Sequence, residues 1–216
     1  MNKKDEIYDF LVDRLVGTRY AFGQPILVKE LAAETGVSRQ PIMTALNRLA
    51  ADGFVRIVPQ VGCQVVSPTP SEIGDFFLMF QNMEGLLAQL AAARRTDEQL
   101  AELKRLQRRI VQLEEGGERL GREYATLNRS FHQLVHVMAR SPLLDERQRA
   151  NFNMSDFFIN HSIGFDRLQP GSAQEHDAII DAIDRRSPER ARAVMEVHIG
   201  SVGHAVLMAL DQKQAA

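Results

Sequence analysis

A chain of 216 residues has room for a small domain and a larger one, each with its own core. Its 26 Lys and Arg against 28 Asp and Glu leave a net charge of −2, which excludes nucleic-acid binding driven by bulk basic charge. A single cysteine, Cys63, excludes an internal disulfide framework, and the N-terminus MNKKDEIYDF offers no signal-peptide core. No apolar run exceeds six residues, so the expectation is a soluble, cytoplasmic chain that does not engage a membrane.

In chain order, a first helix is predicted over about residues 7 to 19, with Gly17 and Gly23 around its end. Residues 26 to 66 then read as two helices around a glycine turn, followed by a strand hairpin. The first of these helices turns Leu27, Leu31 and Ala32 inward and stops at Gly36, which can take the positive φ of a tight turn. Ser38 is a good N-cap for the next helix, Pro41 fits its first turn, and Ile42, Ala45, Leu46 and Leu49 recur at helical spacing. The opposite face carries Arg39, Gln40, Met43, Thr44 and Asn47, and residues near the N-terminus of such a helix reach base edges in a major groove. Gly53 ends the helix. Residues 54 to 58, a turn with Pro59 and Gly62, and residues 64 to 66 make a short β-hairpin, the wing.

This stretch resembles the winged helix-turn-helix of the GntR family of bacterial repressors. The family string LAxxLGVSRxPVxxALxxLxxxGLV stands here as Leu31-Ala32, Gly36-Val37-Ser38-Arg39, Pro41-Ile42, Ala45-Leu46, Leu49 and Gly53-Phe54-Val55. Two departures matter. Met43 and Thr44 stand where the family usually has an arginine and a glutamate, and the wing tip reads Gln60-Val61-Gly62 where a basic residue commonly precedes the glycine. Operator sequence is therefore not transferable from relatives. Residues 1 to 66 carry 8 basic against 7 acidic side chains, and residues 67 to 216 carry 18 against 21. Binding must rest on a few placed groups: Lys29, Arg39, Arg48 and Arg56 for phosphate, with Ser38, Gln40, Met43, Thr44, Asn47 and the wing residue Gly62 completing the DNA-facing set. One head alone would bind weakly, which predicts a homodimer on a palindromic double-stranded operator.

Ser67-Pro68-Thr69-Pro70-Ser71 breaks the pattern and sets the expected boundary, with domains at residues 1 to 70 and 71 to 216. Beyond it the chain is helical, over about residues 72–94, 97–114, 118–139, 143–161, 172–185 and 188–212, with breaks at Gly116-Gly117, Ser141-Pro142, Gln169-Pro170-Gly171 and Ser187-Pro188. The fold class expected is mainly α: a winged helix-turn-helix followed by an antiparallel helical bundle. Asn128 and His132 lie one turn apart on one helix face. His176 borders the stripe Ile179, Ile180 and Ile183, and His198 sits beside Val194, Val197 and Val202. From spacing alone, these three histidines either converge on a metal such as zinc or nickel or are unrelated core residues. His136 continues the face beyond His132, as a group behind a ligand or facing solvent. His161 and His204 read as surface or helix-end groups.

Residues 72 to 212 resemble the FCD-type ligand-binding domain of the FadR-like branch of the GntR family. In that branch a [D/N]xxFH helix and two later histidines bind a divalent metal inside a helical bundle. The matching segments are Asn128-Arg129-Ser130-Phe131-His132, Glu175-His176-Asp177-Ala178-Ile179, and residues 191 to 198; Glu84 matches the acidic position of the opening helix. The resemblance implies metal ligands Asn128, His132, His176 and His198, and a small organic-acid effector. Arg94, Arg129, Arg147 and Arg149 are candidates for the effector by position alone. Many relatives have aspartate where Asn128 stands. A metalloenzyme is the contrasting class, and the absence of HExxH and of any Glu three residues before a His argues against it. A DNA-binding regulator whose bundle only dimerises is the other alternative.

Overall fold

The computed structural model describes residues 3–58, 62–115, 121–165 and 172–215. The wing tip, Pro59 to Val61, and the predicted breaks at Gly116-Gly117 and Gln169-Pro170-Gly171 lie outside the described residues. Two compact units are present: Met1–Thr69 with Ala150–His161, and Pro70–Arg149 with Ser162–Ala216.

Unit 1 runs α1 (Lys3–Val16), β1 (Pro25–Ile26), α2 (Val28–Thr35), α3 (Arg39–Ala51), β2 (Val55–Val58) and β3 (Gly62–Val65). Helix α1 starts and ends earlier than its periodicity suggests, closing at Gly17 and Thr18, where the chain turns through positive φ at Thr18. The α2–α3 turn has the expected cause: Gly36 sits at φ 65°, ψ 11°, a left-handed conformation that a side chain would strain. Ser38 occupies the N-cap position of α3 with extended backbone, but its side chain makes no capping bond. Ile42, Ala45, Leu46 and Leu49 are all buried as their spacing requires. The wing has three strands, not two. Order is β1-β3-β2, all antiparallel, with Cys63 opposite both Ile26 and Ile57; a two-residue strand is too short for an alternation to mark it in sequence.

Two features lock this unit. Tyr8 of α1 donates its hydroxyl hydrogen to Asp52 Oδ2 (2.6 Å), and the Arg48 guanidinium lies 3.8 Å from the centre of the Tyr8 ring while reaching Asp5 at 3.2 Å. The second is a ring cluster. Phe157 packs edge-on against Phe22 (5.3 Å) and Phe54 (5.6 Å), and His161 stacks on Phe22 at 4.7 Å. A fully buried phenylalanine contributes roughly 1.5–3 kcal/mol, which accounts for residues 150–161 grouping with the head residues. His161 is thus a half-buried helix-end residue, within 2.9 Å of the Tyr20 carbonyl, while His204 is exposed.

Unit 2 is built from α4 (Pro70–Arg94), α5 (Asp97–Glu115), α6 (Gly121–Ala139), the first turns of α7 (Pro142–Ser162), α8 (Ser172–Asp184) and α9 (Pro188–Ala215). Helix α4 packs along α9 and against α6, and α5 and α8 complete the bundle. Gly203 lets α9 approach closely, because a Cβ there would lie 2.8 Å from Phe77 Cβ. Pro188–Lys213 is long and apolar enough to cross a membrane by length and composition, but here it is a bundle helix with Ala191, Met195, Ile199 and Val206 buried. Arg94 donates to the Ala139 carbonyl (2.8 Å) and Arg95 to the Asp184 carbonyl (2.9 Å), satisfying the ends of α6 and α8.

Candidate metal centre and DNA-facing helix

The three histidines expected from the sequence to share a face with the core do come together. His132 (α6), His176 (α8) and His198 (α9) are 1%, 0% and 2% exposed, and each offers a nitrogen within 4.8 Å of those of the other two. Phe131 stacks flat on His176 at 4.1 Å and fixes that ring's plane.

Each imidazole is held through Nδ1. His132 Nδ1–H donates to Glu84 Oε2 (3.0 Å), and His198 Nδ1–H donates to Glu175 Oε2 (2.8 Å). His176 Nδ1–H donates to Gln107 Oε1 (3.2 Å); Gln107 is in turn oriented by Asp177, whose Oδ1 accepts from Gln107 Nε2 at 3.1 Å. A carboxylate can only accept, so Asp177 demands the amide NH₂ and leaves the Gln107 oxygen for the histidine. All three rings therefore carry their proton on Nδ1, which makes Nε2 the atom of each that could hold a metal. Two atoms test the fit. His176 Nε2 and Asn128 Oδ1 are buried without a hydrogen-bond partner, a costly condition that a cation relieves. Asn128 is one turn before His132, so its amide oxygen lies on the same face of α6.

Electrostatics agree with neutral ligands. Burial pushes the pKa of His176 well below the usual histidine range, and the neighbouring His198 and His132 add to that. Burial also lowers His132, against the pull of Glu84. Glu84 is fully buried; burial opposes its charge, but His136 and His132 outweigh that and hold its carboxyl well below the usual carboxylate range. His136 is raised: burial opposes its charge, but Glu84 and then Asp145 prevail. Glu175 is lowered, with its burial outweighed by the bonds from His198 and Ser201.

His136 does not face solvent. It is 4% exposed and donates from Nε2 to Glu84 Oε1 (2.8 Å) and from Nδ1 to Asp145 Oδ1 (3.2 Å). Gln148 of α7 adds a third bond to the Glu84 carboxylate, at Oε1 (2.9 Å). Gln107, Gln148 and the role of Glu175 toward His198 are not readable from spacing. Of the four arginines considered for an effector, Arg94 is spent on the Ala139 carbonyl, and Arg147 and Arg149 are exposed. Arg129 is half-buried, beside Asn128.

In unit 1, Lys29, Ser38, Arg39, Gln40, Thr44, Asn47 and Gly62 are exposed, and Met43 is half-buried. Thr44 turns its hydroxyl back to the Gln40 carbonyl (3.1 Å). Arg48 is exposed but already engaged with Tyr8 and Asp5.

A winged helix-turn-helix followed by a helical bundle that buries a histidine triad defines a two-part regulator, and comparison with known proteins agrees. Residues 3–65 match "Bacterial regulatory proteins, gntR family" and residues 75–201 match the FCD domain. The chain belongs to the GntR family, in the group that carries an FCD domain, and is a DNA-binding transcriptional regulator, not an enzyme. It is 26% identical over 207 residues to the "HTH-type transcriptional repressor RspR" of Escherichia coli K12, covering 93% of this chain and 87% of that protein. It is 25% identical over 196 residues to the "Probable D-xylose utilization operon transcriptional repressor" of Paenarthrobacter nicotinovorans, covering 91% and 85%. In fold it is similar to E. coli McbR/YncC, with TM-score 0.78 at 19% identity and 99% of each chain covered. A GntR regulator from Rhodococcus sp. RHA1 gives TM-score 0.75 at 18% identity, covering 97% and 99%.

Proposed function

We propose that this chain is a cytoplasmic transcriptional repressor that binds a palindromic operator as a homodimer, and whose helical unit holds a divalent metal ion and a small organic acid. The observation that carries the metal is the pair of partnerless buried atoms, His176 Nε2 and Asn128 Oδ1, beside rings whose Nδ1 atoms are all taken. Asn128, His132, His176 and His198 would hold the ion, with zinc or nickel suited to imidazole. When bound, the ion supplies a positive centre for an anionic oxygen ligand. The residues behind the ligands keep the rings in place through their Nδ1 atoms.

The repressor reading is supported by relatives named as repressors over nearly the whole chain. Dimerisation is favoured by charge: net +1 over residues 1 to 66 offers one head little phosphate affinity. For an acid to release DNA it must bind the non-operator arrangement more tightly, since equal affinity shifts nothing. Two measurements test the proposal together. Selection from a random DNA pool is expected to enrich a two-fold symmetric site; no symmetric site would overturn the operator reading. A thermal-shift screen of organic acids on the metal-loaded protein is expected to find stabilisation that disappears after chelation. Stabilisation by the same acid with and without metal would separate the effector from the ion.

A further inference from the structure

Glu84 is unlike the other groups that hold the histidines. It is 0% exposed, and its two carboxylate oxygens accept from three side chains on two other helices: His132 and His136 of α6 and Gln148 of α7. Glu175, by comparison, is only partly buried and its second oxygen is met by Ser201 of the same helix as His198. A fully buried carboxylate is expensive unless its geometry is exact and every lone pair is used. Removing it entirely would take from His136 the acceptor of its Nε2–H. A bundle that needed only stability would do as well with apolar side chains at these positions.

We infer that Glu84 is the positioning residue of the metal centre, and that Gln148 holds Glu84, so that the first turns of α7 belong to the metal site although α7 supplies no ligand. The inference rests on the metal reading above. Its physical content is a chain of fixed geometry. Gln148 and His136 take Glu84 Oε1, which leaves Oε2 for His132 Nδ1–H; that bond fixes the tautomer and the rotation of the ring, and so the direction of Nε2. In Glu84→Gln the amide must present either its oxygen or its NH₂ to each partner. With the oxygen toward His132, the NH₂ meets the NH₂ of Gln148 and an imidazole N–H, two donors against donors; with the reverse, His132 is driven to the other tautomer, whose Nε2 carries the proton. Either way Nε2 loses its setting. By reciprocity, if Gln148 and Glu84 favour the metal, the metal must favour the arrangement of α7 in which they are bonded.

The experiment uses full-length protein stripped with a chelator and titrated with Co²⁺ and then Zn²⁺ in competition with a chromogenic chelator. Visible Co²⁺ absorption reports the ligand field, and amide hydrogen exchange with and without Zn²⁺ reports residues 142–149. Glu84→Gln is expected to weaken Zn²⁺ binding by roughly 10–100-fold and to move the Co²⁺ bands while binding stays one ion per chain. Gln148→Met, which keeps the volume and removes the donor, is expected to weaken binding by a smaller factor. It should also abolish the Zn²⁺-dependent slowing of exchange over residues 142–149 that is expected of the wild type. Unchanged affinity, bands and exchange in both variants would overturn the inference while leaving the metal reading intact. Wild type that takes up neither ion would overturn both. If Glu84→Gln does not fold, Gln148→Met decides alone: wild-type affinity and wild-type exchange protection would overturn it.

Discussion

The two units use polar side chains in opposite ways. In unit 1 the residues proposed to face DNA are exposed except for the half-buried Met43, and most lie on a face of α3 set by a left-handed glycine and four buried aliphatic residues. In unit 2 the side chains proposed to serve a metal are the buried ones, and the groups that orient them are bonded to residues remote in sequence: Glu84 to His132 and Gln148, 48 and 64 positions away, and Gln107 to His176, 69 away. The difference teaches where tolerance lies. A surface reader can change one exposed side chain and alter only what it reads. A buried centre cannot change a single group without leaving its partner unpaired.

The largest expected effect is therefore in the bundle. His176→Ala should abolish bound metal by elemental analysis, since it removes the ligand whose Nε2 has no other partner and leaves a hole behind Phe131. Asn128→Asp should move the other way and retain more metal against a chelator, because a carboxylate adds a charge-assisted oxygen ligand. Nil metal in the wild type and in Asn128→Asp under supplementation would return these histidines to plain core residues.

Arg39→Ala comes next and probes the surface regime. It should cost about 1–3 kcal/mol of specific DNA binding, measured by fluorescence anisotropy on the selected site, with thermal stability and metal content at wild-type values because Arg39 is exposed. A loss of stability comparable to the loss of binding would erase the contrast between the units. Met43→Arg should have the smallest effect on affinity. It exchanges a side chain that can touch a thymine methyl for one that can donate to guanine, and so should shift preference toward G at one position per half-site in a repeated selection. An identical selected motif would place Met43 away from the groove.

The legibility of the two units differs for the same reason. Helix α3 and its turn are local: Gly36, the aliphatic spacing and Gly53 act within a few residues of where they are read. Strand β1 is not legible locally because Pro25–Ile26 takes its identity from Gln64 and Cys63, about forty residues on. In the bundle, Asn128 and His132 are legible as one face, and His176 and His198 as edges of apolar stripes. The groups that orient them are not. Glu175 lies next to His176 in the chain yet serves His198, because adjacent helical residues point about 100° apart and face different helices. Gln148 sits between exposed residues Arg147 and Arg149, and nothing local distinguishes it from a solvated glutamine.

The discontinuity of unit 1 has a consequence during synthesis. A head made only of residues 1–69 could fold as soon as it left the ribosome. Here residues 150–161 belong to the same unit, and Phe157 contacts both Phe22 and Phe54. At about 5–20 residues per second, the roughly 90 residues that separate Thr69 from His161 take on the order of 5–18 s to translate. For that interval two aromatic side chains of the head lack their packing partner, and the DNA reader, though encoded first, is completed only after most of the chain has been made.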